Sequence, residues 1–217
     1  SILEELINKP VGSLSFEMIE LLLNNETIRQ KNQRIYEHLD MVDVNLLPRK
    51  LRLEIASSPF TSEKTQLQII KSDLISLKLL LAKNPIISEQ VQLKLAQDKD
   101  DNVRECLAQN PSLIEQIQLK IFEDKDANYF RENPFINVQI KLKSALAANP
   151  AISEQIQLKI ADTSPYWEKM DLAKNPSLIE QIQLRFSEDN NLREYLAENP
   201  SLIEQIRLKF SQDEDTI

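Results

Sequence analysis

The sequence predicts an all-α fold: a curved α-solenoid of about six two-helix repeats of 24–26 residues, behind an N-terminal helical cap. Three observations predict it. An Asn-Pro pair recurs at Asn84-Pro85, Asn110-Pro111, Asn133-Pro134, Asn149-Pro150, Asn175-Pro176 and Asn199-Pro200, with Ser58-Pro59 as a worn copy. Gly12 is the one glycine among 217 residues, and hairpin-rich folds lean on glycine for their turns. Between the prolines the chain is rich in Leu, Ala, Gln, Glu and Lys, which favour helix over strand. The fragment Ile117-Gln-Leu-Lys-Ile121 also alternates as a strand would, but the Asn-Pro starts and the missing glycines weigh against that reading.

Taken in order, Ser15 to Leu23 reads as an apolar helix. Thr27 to Gln30 has the form of a capping box opening a helix to about Leu39, and Pro48 to Ala56 reads as another. Residues 1–57 lack the repeat motif, so they are expected to form a helical cap over the open apolar face of the array. Residues 58–217 are expected to form one continuous repeat domain. The proline spacings are 26, 26, 23, 16, 26 and 24 residues, and the third and fourth together span one and a half units, as if one repeat were cut short. Within a unit, Asn is expected to cap a first helix with proline in its first position. The Asp-rich stretch from Asp98 then caps a short second helix, Val103 to Ala108. That helix stops before the next proline, because the residue preceding proline leaves the α region. Val91 and Leu95 share one helical face and Leu93 and Ala96 another, which suits a helix packed between two neighbours.

The string Val103-Arg-x-x-Leu-Ala-x-Asn-Pro111, followed by an apolar pair from Ile117 and then Asp124, resembles the bacterial leucine-rich repeat variant family. Val91, Leu95, Ala96 and Asp98 fit the later half of that pattern, and Leu192-Arg193-x-x-Leu196-Ala197-x-Asn199-Pro200 fits the first half. The resemblance covers roughly residues 59–213 and implies α-helices alternating with 3₁₀ helices in a right-handed superhelix. Some members carry an iron–sulfur cluster on a Cys-rich segment. Four cysteines are normally needed for that and this chain has one, so no cluster is expected.

Composition excludes several classes of chemistry. One glycine rules out the glycine-built phosphate loops. His38 and Cys106 are the single members of their kinds, too few for a Cys/His zinc site. No cofactor or metal is expected, and no enzymatic activity. No disulfide can close within the chain, which fits a reducing, cytoplasmic compartment. No run of 18 apolar residues occurs, so no membrane span is expected. With Lys+Arg 26 against Asp+Glu 34, the net charge is −8. That disfavours phosphate backbones and favours a basic partner. The charge is spread evenly: residues 1–57 carry 7 basic and 9 acidic side chains, and the repeats are acidic as well.

Candidate residues follow the repeat or break it. Seven residues before a proline a cation recurs, at Lys78, Arg104, Lys143, Lys169 and Arg193. Thirteen after it Asp recurs, at Asp98, Asp124, Asp189 and Asp213. These are expected to answer one another across the stack; the alternative is a cationic ladder for an anionic partner. The first helices carry Glu89, Glu115, Glu154, Glu180 and Glu204, with a second column at Gln92, Gln118, Gln157 and Gln183. Together they read as a solvated helix face or as a polar groove for a protein or peptide. Aromatic residues gather where the repeat is irregular: Tyr129, Phe130 and Phe135 in the shortened unit, and Tyr166 and Trp167 after Pro165. They fill the gap of a broken repeat or serve as interface anchors. Asp98 to Asn102 lacks the Gly and Glu of a calcium loop. Cys106 stands at an apolar position and His38 among polar neighbours, which predicts a packed thiol and a surface imidazole.

The function expected from these features is that of a non-catalytic protein-binding module, an adaptor or an inhibitor of a basic partner. The rivals are a helical-repeat nucleic-acid or DNA-repair protein, and a structural or regulatory region of a larger protein, the latter suggested by a first residue that is Ser rather than Met.

Overall fold

A computed structural model describes residues 2–10, 12–27, 33–123 and 138–214. Every regular element among them is helical: α1 (Ile2–Ile7), α2 (Phe16–Asn24), α3 (Arg34–Leu39), a 3₁₀ turn (Val44–Leu46), α4 (Arg49–Ser57), α5 (Glu63–Ile70), α6 (Ile75–Lys83), α7 (Glu89–Leu95), α8 (Asp101–Ala108), α9 (Glu115–Glu123), α10 (Val138–Ala147), α11 (Glu154–Thr163), α12 (Tyr166–Ala173), α13 (Glu180–Ser187), α14 (Arg193–Ala197) and α15 (Glu204–Glu214). The chain forms two compact units, 1–103 and 104–217.

Of the first 57 residues, α2 and α4 lie where the pattern placed helices and α3 within the span expected to end near Leu39, while α1 and the 3₁₀ turn were not expected. The Ser15 hydroxyl accepts from the Met18 N–H and opens α2. Of the expected capping box, Ile28, Arg29 and Gln30 lie outside the described residues. His38 departs from expectation. It is fully buried, on the face of α3 that also buries Ile35 and Leu39. The helix turns Gln33 and Glu37 outward, while Ile35, Tyr36 and Leu39 share the buried side with His38.

The Asn-Pro motif departs from expectation too. The first helix of each unit begins at a Glu four residues after the proline, as at Glu89, Glu115, Glu154, Glu180 and Glu204. Asn-Pro forms the turn before it. The Asn side-chain oxygen accepts from the N–H two residues on, at 2.8 Å for Ala151, Ser177 and Ser201. Where the residue before the helix is Ser, that Ser caps it: Ser62 for α5, Ser88 for α7 and Ser153 for α11. Both Asn at a helix cap and Asn in such a turn take up a nearby N–H, so the motif alone does not separate them.

The turns are gripped from both sides by buried amides. Asn175 donates to the carbonyls of Ala147 (2.6 Å) and Asn149 (2.9 Å) in the preceding turn, and Asn199 does the same to Ala173 and Asn175. In the first unit Asn84 reaches Ala56 and Ser58. A Gln from the first helix reaches the other way. Gln157 donates to the Ser177 carbonyl at 3.0 Å and accepts from the Ile179 N–H at 3.0 Å; Gln183 does this with Ser201 and Ile203, and Gln66 with Ile86 and Ser88. Gln66, Gln157 and Gln183 are therefore buried, Gln92 and Gln118 are buried as well, and the solvated Gln column read from the sequence is corrected. In the column's next place stands Arg207, which is exposed.

The same bonds correct the reading of a repeat cut short. Asn149 donates to the Ala108 and Asn110 carbonyls, and Gln118 reaches Ala151 and Ser153. The turns at Asn110 and Asn149 are thus direct neighbours. Residues 124–137, between α9 and α10, lie outside the described residues.

Helices of like order pack side by side. In the first unit α4 lies against α6 and α5 against α7; in the second, α10 against α12 and α12 against α14, with α9, α11, α13 and α15 in the other layer. Val91, Leu95, Ile156, Ile160, Ile182 and Phe186 of the first helices are buried, as are Leu77, Leu81, Leu107, Leu146, Leu172 and Leu196 of the second. Leu93 and Ala96 are half-buried, so the second apolar stripe is the shallower. Cys106 is half-buried, as are Leu80 and Tyr195 at the matching positions. Residues 40–44 are tied to α5: Asp40 accepts from the hydroxyls of Ser62 and Thr65, while Gln68 bonds the Val42 carbonyl and the Val44 N–H.

A buried donor or acceptor left without its partner costs about 1–3 kcal/mol. Asn175→Ala strips one donor group and one acceptor from three backbone groups. It is expected to lower unfolding stability by about 3 kcal/mol, read by urea denaturation. A loss below about 0.5 kcal/mol, the usual scale of a surface change, would contradict the grip.

Candidate interaction surface

The Glu residues singled out from the sequence are brought to equivalent places. Glu89 in the first unit and Glu115, Glu154, Glu180 and Glu204 in the second each occupy the first position of a helix, and all five are exposed. A carboxylate is favourable there, beside the unsatisfied N–H groups of the first turn. The Gln after each Glu is exposed as well, while the inner Gln column is withdrawn into the turns. What remains outside is a narrow acidic row.

Cations further along the same helices are engaged by the chain itself. Lys159 pairs with Glu123 at 2.7 Å, Arg185 with Asp162 at 2.5 Å and Lys209 with Glu188 at 2.5 Å, each linking one first helix to the one before. These pairs are exposed, so each contributes little stability, but they neutralise local charge of both signs.

The column of cations before the prolines also turns inward. Lys78 pairs with Asp98 at 2.8 Å, the answering contact expected from the spacing. Lys143 lies 5.2 Å from the centre of the Phe122 ring, and Arg193 lies 4.8 Å from that of Phe210. Arg104 and Lys169 are half-buried on α8 and α12. Asp124 lies outside the described residues. Asp189 caps its own turn by accepting from the Asn191 N–H. The Asp98–Asn102 stretch is likewise occupied by capping: Asp98 accepts from the Asp100 N–H, and Asp100 from Asn102 and Val103.

Of the aromatic candidates, Tyr129, Phe130 and Phe135 lie outside the described residues. Tyr166 and Trp167 form the first turn of α12 and are 42% and 45% exposed. Their settings differ. The Tyr166 hydroxyl donates to the Asn191 carbonyl at 2.5 Å, and its ring meets Tyr195 edge-on at 6.2 Å. Burial first, then Tyr195 and the charges of Asp189 and Glu194, push the Tyr166 phenol above its ordinary value. Lys174 stacks on the other partner, 5.0 Å from the Tyr195 ring centre, and pairs with Glu198 at 2.6 Å. The hydrogen bond to Glu198 holds the Lys174 amine above its usual range, against the opposing effect of burial. Tyr166 thus ties α12 to the following unit, whereas Trp167 presents its indole to solvent.

Beside Trp167 lies a residue that the sequence reading passed over. Glu168 is 3% exposed, and its Oε2 has no hydrogen-bond partner among the described residues. It stands one place before Lys169. One place before the other cations of that column stand Leu77, Val103, Leu142 and Leu192, all buried. A carboxylate thus fills a core position that four sibling units give to aliphatic side chains. Aligning the units on their prolines exposes the exception; reading along the chain hides it, because Glu168 sits among ordinary helix residues.

No helix among the described residues is long and apolar enough to cross a membrane. Protein-family models, curated proteins and solved structures offer no match to the chain.

Burying a polar group without a partner costs about 1–3 kcal/mol. Glu168→Leu, which restores the aliphatic residue of the sibling units, is expected to raise unfolding stability by about 2 kcal/mol, read by urea denaturation. A destabilised variant would show that the carboxylate is well accommodated where it stands.

Proposed function

We propose that the chain is a non-catalytic protein-binding module, a curved α-solenoid of leucine-rich repeat variant type, working in the cytoplasm as an adaptor or an inhibitor of a basic protein. The observation that carries this reading is the acidic row. Glu115, Glu154, Glu180 and Glu204 recur at the starts of α9, α11, α13 and α15 and are all exposed, while Lys159, Arg185 and Lys209 are taken up by other carboxylates. A row of one sign speeds the approach of an oppositely charged partner and selects its orientation. Trp167 supplies what charge does not: a large, rigid, exposed ring of the type that dominates interface energetics. The cations of the second helices face Asp98, Phe122 and Phe210 of this chain, which supports a protein partner over a phosphate backbone.

The test is affinity capture from the native lysate with nuclease-treated controls, followed by binding of the recovered protein in a salt series. One basic protein, retained after nuclease, is expected. Joint replacement of Glu115, Glu154, Glu180 and Glu204 by Lys is expected to abolish its binding at low salt. Trp167→Ala is expected to weaken it at least tenfold, since truncating such an anchor costs about 2 kcal/mol, with helicity by circular dichroism unchanged. Binding that ignores the charge reversal, or that disappears with nuclease, would sink the reading.

A further inference from the structure

The first helices of the second unit repeat one surface pattern. Four residues after the opening Glu stands a leucine: Leu119 in α9, Leu158 in α11, Leu184 in α13 and Leu208 in α15. Four residues further on stands a second carboxylate in three of them, Glu123, Asp162 and Glu188. Residues four apart share one face of a helix, and α9, α11, α13 and α15 follow one another in contact. A row of leucines therefore runs across the four helices, with a row of carboxylates on either side.

The leucines are not what fills the core. That task falls to the residues two places before them, Ile117, Ile156, Ile182 and Ile206, all buried. Leu119 and Leu158 are half-buried, and Leu184 and Leu208 are 37% and 56% exposed. An apolar strip that reaches water between polar rims has the form of an interaction surface. Its two edges say what covers it. On one edge Glu123, Asp162 and Glu188 are each neutralised by the cation of the next first helix. On the other, Glu115, Glu154, Glu180 and Glu204 are exposed and make no ion pair among the described residues. The strip is thus apolar in the middle and negative along one edge only. Packed helices lie about 8–10 Å apart. Seven residues of an α-helix advance about 10.5 Å and return to the same face. An extended strand covers that distance in about three residues, and the third points to the opposite face.

We propose that the leucine row is the docking strip for one amphipathic helix of the partner, laid across α9, α11, α13 and α15. That helix carries an aliphatic residue at every seventh place and Lys or Arg along one edge, facing the Glu row. The strip deepens the binding-module reading and rests on it for its biological partner.

The experiment titrates the full chain into a fluorescein-labelled model helix of four heptads and follows anisotropy. The peptide has a Leu stripe of seven-residue period, Lys along one edge, and Ala and Gln elsewhere. Saturable one-to-one binding is expected. Three control peptides are each expected to bind at least about tenfold more weakly: one of the same composition in shuffled order, one with Glu for Lys, and one with a central Pro, which breaks the helix. On the protein, Leu184→Gln with Leu208→Gln is expected to weaken binding at least about tenfold with circular dichroism unchanged. Leu46→Gln, at an exposed leucine of the first unit, is expected to leave it unchanged. Should the double variant lose helicity, Glu154→Gln with Glu180→Gln reads the acidic edge instead, again with a loss of binding expected. No saturable binding, controls that bind equally, or unchanged binding in these variants would overturn the proposal. Sedimentation of the chain alone reads the rival occupant: a dimer that Leu184→Gln with Leu208→Gln turns into a monomer would assign the strip to a second copy and overturn it too. A basic protein captured from the lysate alongside a silent helix probe would sink this proposal and leave the binding-module reading standing.

Discussion

The structure depends on a buried amide grip at each turn. A helix that stops before proline leaves carbonyl groups without intrahelical partners, and the turn that follows adds N–H groups facing inward. Glycine is not there to soften the problem. The protein answers it with Asn and Gln side chains, each able to donate and accept at once. Asn175 reaches back to Ala147 and Asn149, and Gln157 reaches forward to Ser177 and Ile179. The turns at Asn149 and Asn175 are thereby held from both neighbours, and unlike apolar packing these contacts are directional. The Ala residues whose carbonyls are used, Ala56, Ala108, Ala147 and Ala173, are buried and carry no side chain bulky enough to obstruct the incoming amide.

The grip also explains how the chain tolerates an irregular middle. Asn149 finds the carbonyls of Ala108 and Asn110 across 41 and 39 residues of sequence, where Asn175 spans 28 and 26. Loop length enters the cost of closing such a contact only logarithmically, while the local geometry of donor and acceptor is the same in both cases. Ala108, Leu142 and Ala145 pack together with Ile121 beneath this join. The Asn149 and Gln118 bonds thus join these two turns as directly as the Asn175 and Gln157 bonds join the next pair.

Much of this was legible in the sequence, and the failures have physical causes. The helices, their second-layer stops and the Lys78–Asp98 contact follow from propensity, proline sterics and spacing. The Gln column was misread because Gln92, Gln118, Gln157 and Gln183 sit among exposed Glu, Gln and Lys, and a buried polar residue looks solvated until its partners are known. Those partners are backbone groups, for Gln118, Gln157 and Gln183 as far as 33, 20 and 18 residues away at Ala151, Ser177 and Ser201, and backbone groups have no signature in sequence. His38 was misread for another reason: its helical spacing from Ile35 and Leu39 puts it on their buried face, which Gln33 and Glu37 nearby obscure. Of the candidate site, the Glu row and Trp167 were legible as columns and exceptions. Glu168 required comparing one column across units rather than one unit along the chain.

In a repeat structure many residues that obey the pattern serve the fold, so function is also to be sought where one unit departs from it at a cost. Asn149, Asn175 and Asn199 obey it, as do Gln118, Gln157 and Gln183, and all are buried. The Glu row obeys it too, and its place at helix starts has a structural reason of its own. Trp167 and Glu168 depart from it together, in adjacent positions of one unit, one placing a large apolar surface in water and the other a carboxylate in the core. Each change alone runs against the physics of folding. The two side chains lie about 100° apart around α12, so they are separate departures: an exposed ring at the surface and a carboxylate in the core. The grip at Asn149 and Asn175 makes such a departure affordable. α12 stays in register through backbone contacts at the turns, so the identity of residue 168 is released from the task of holding the helix in place.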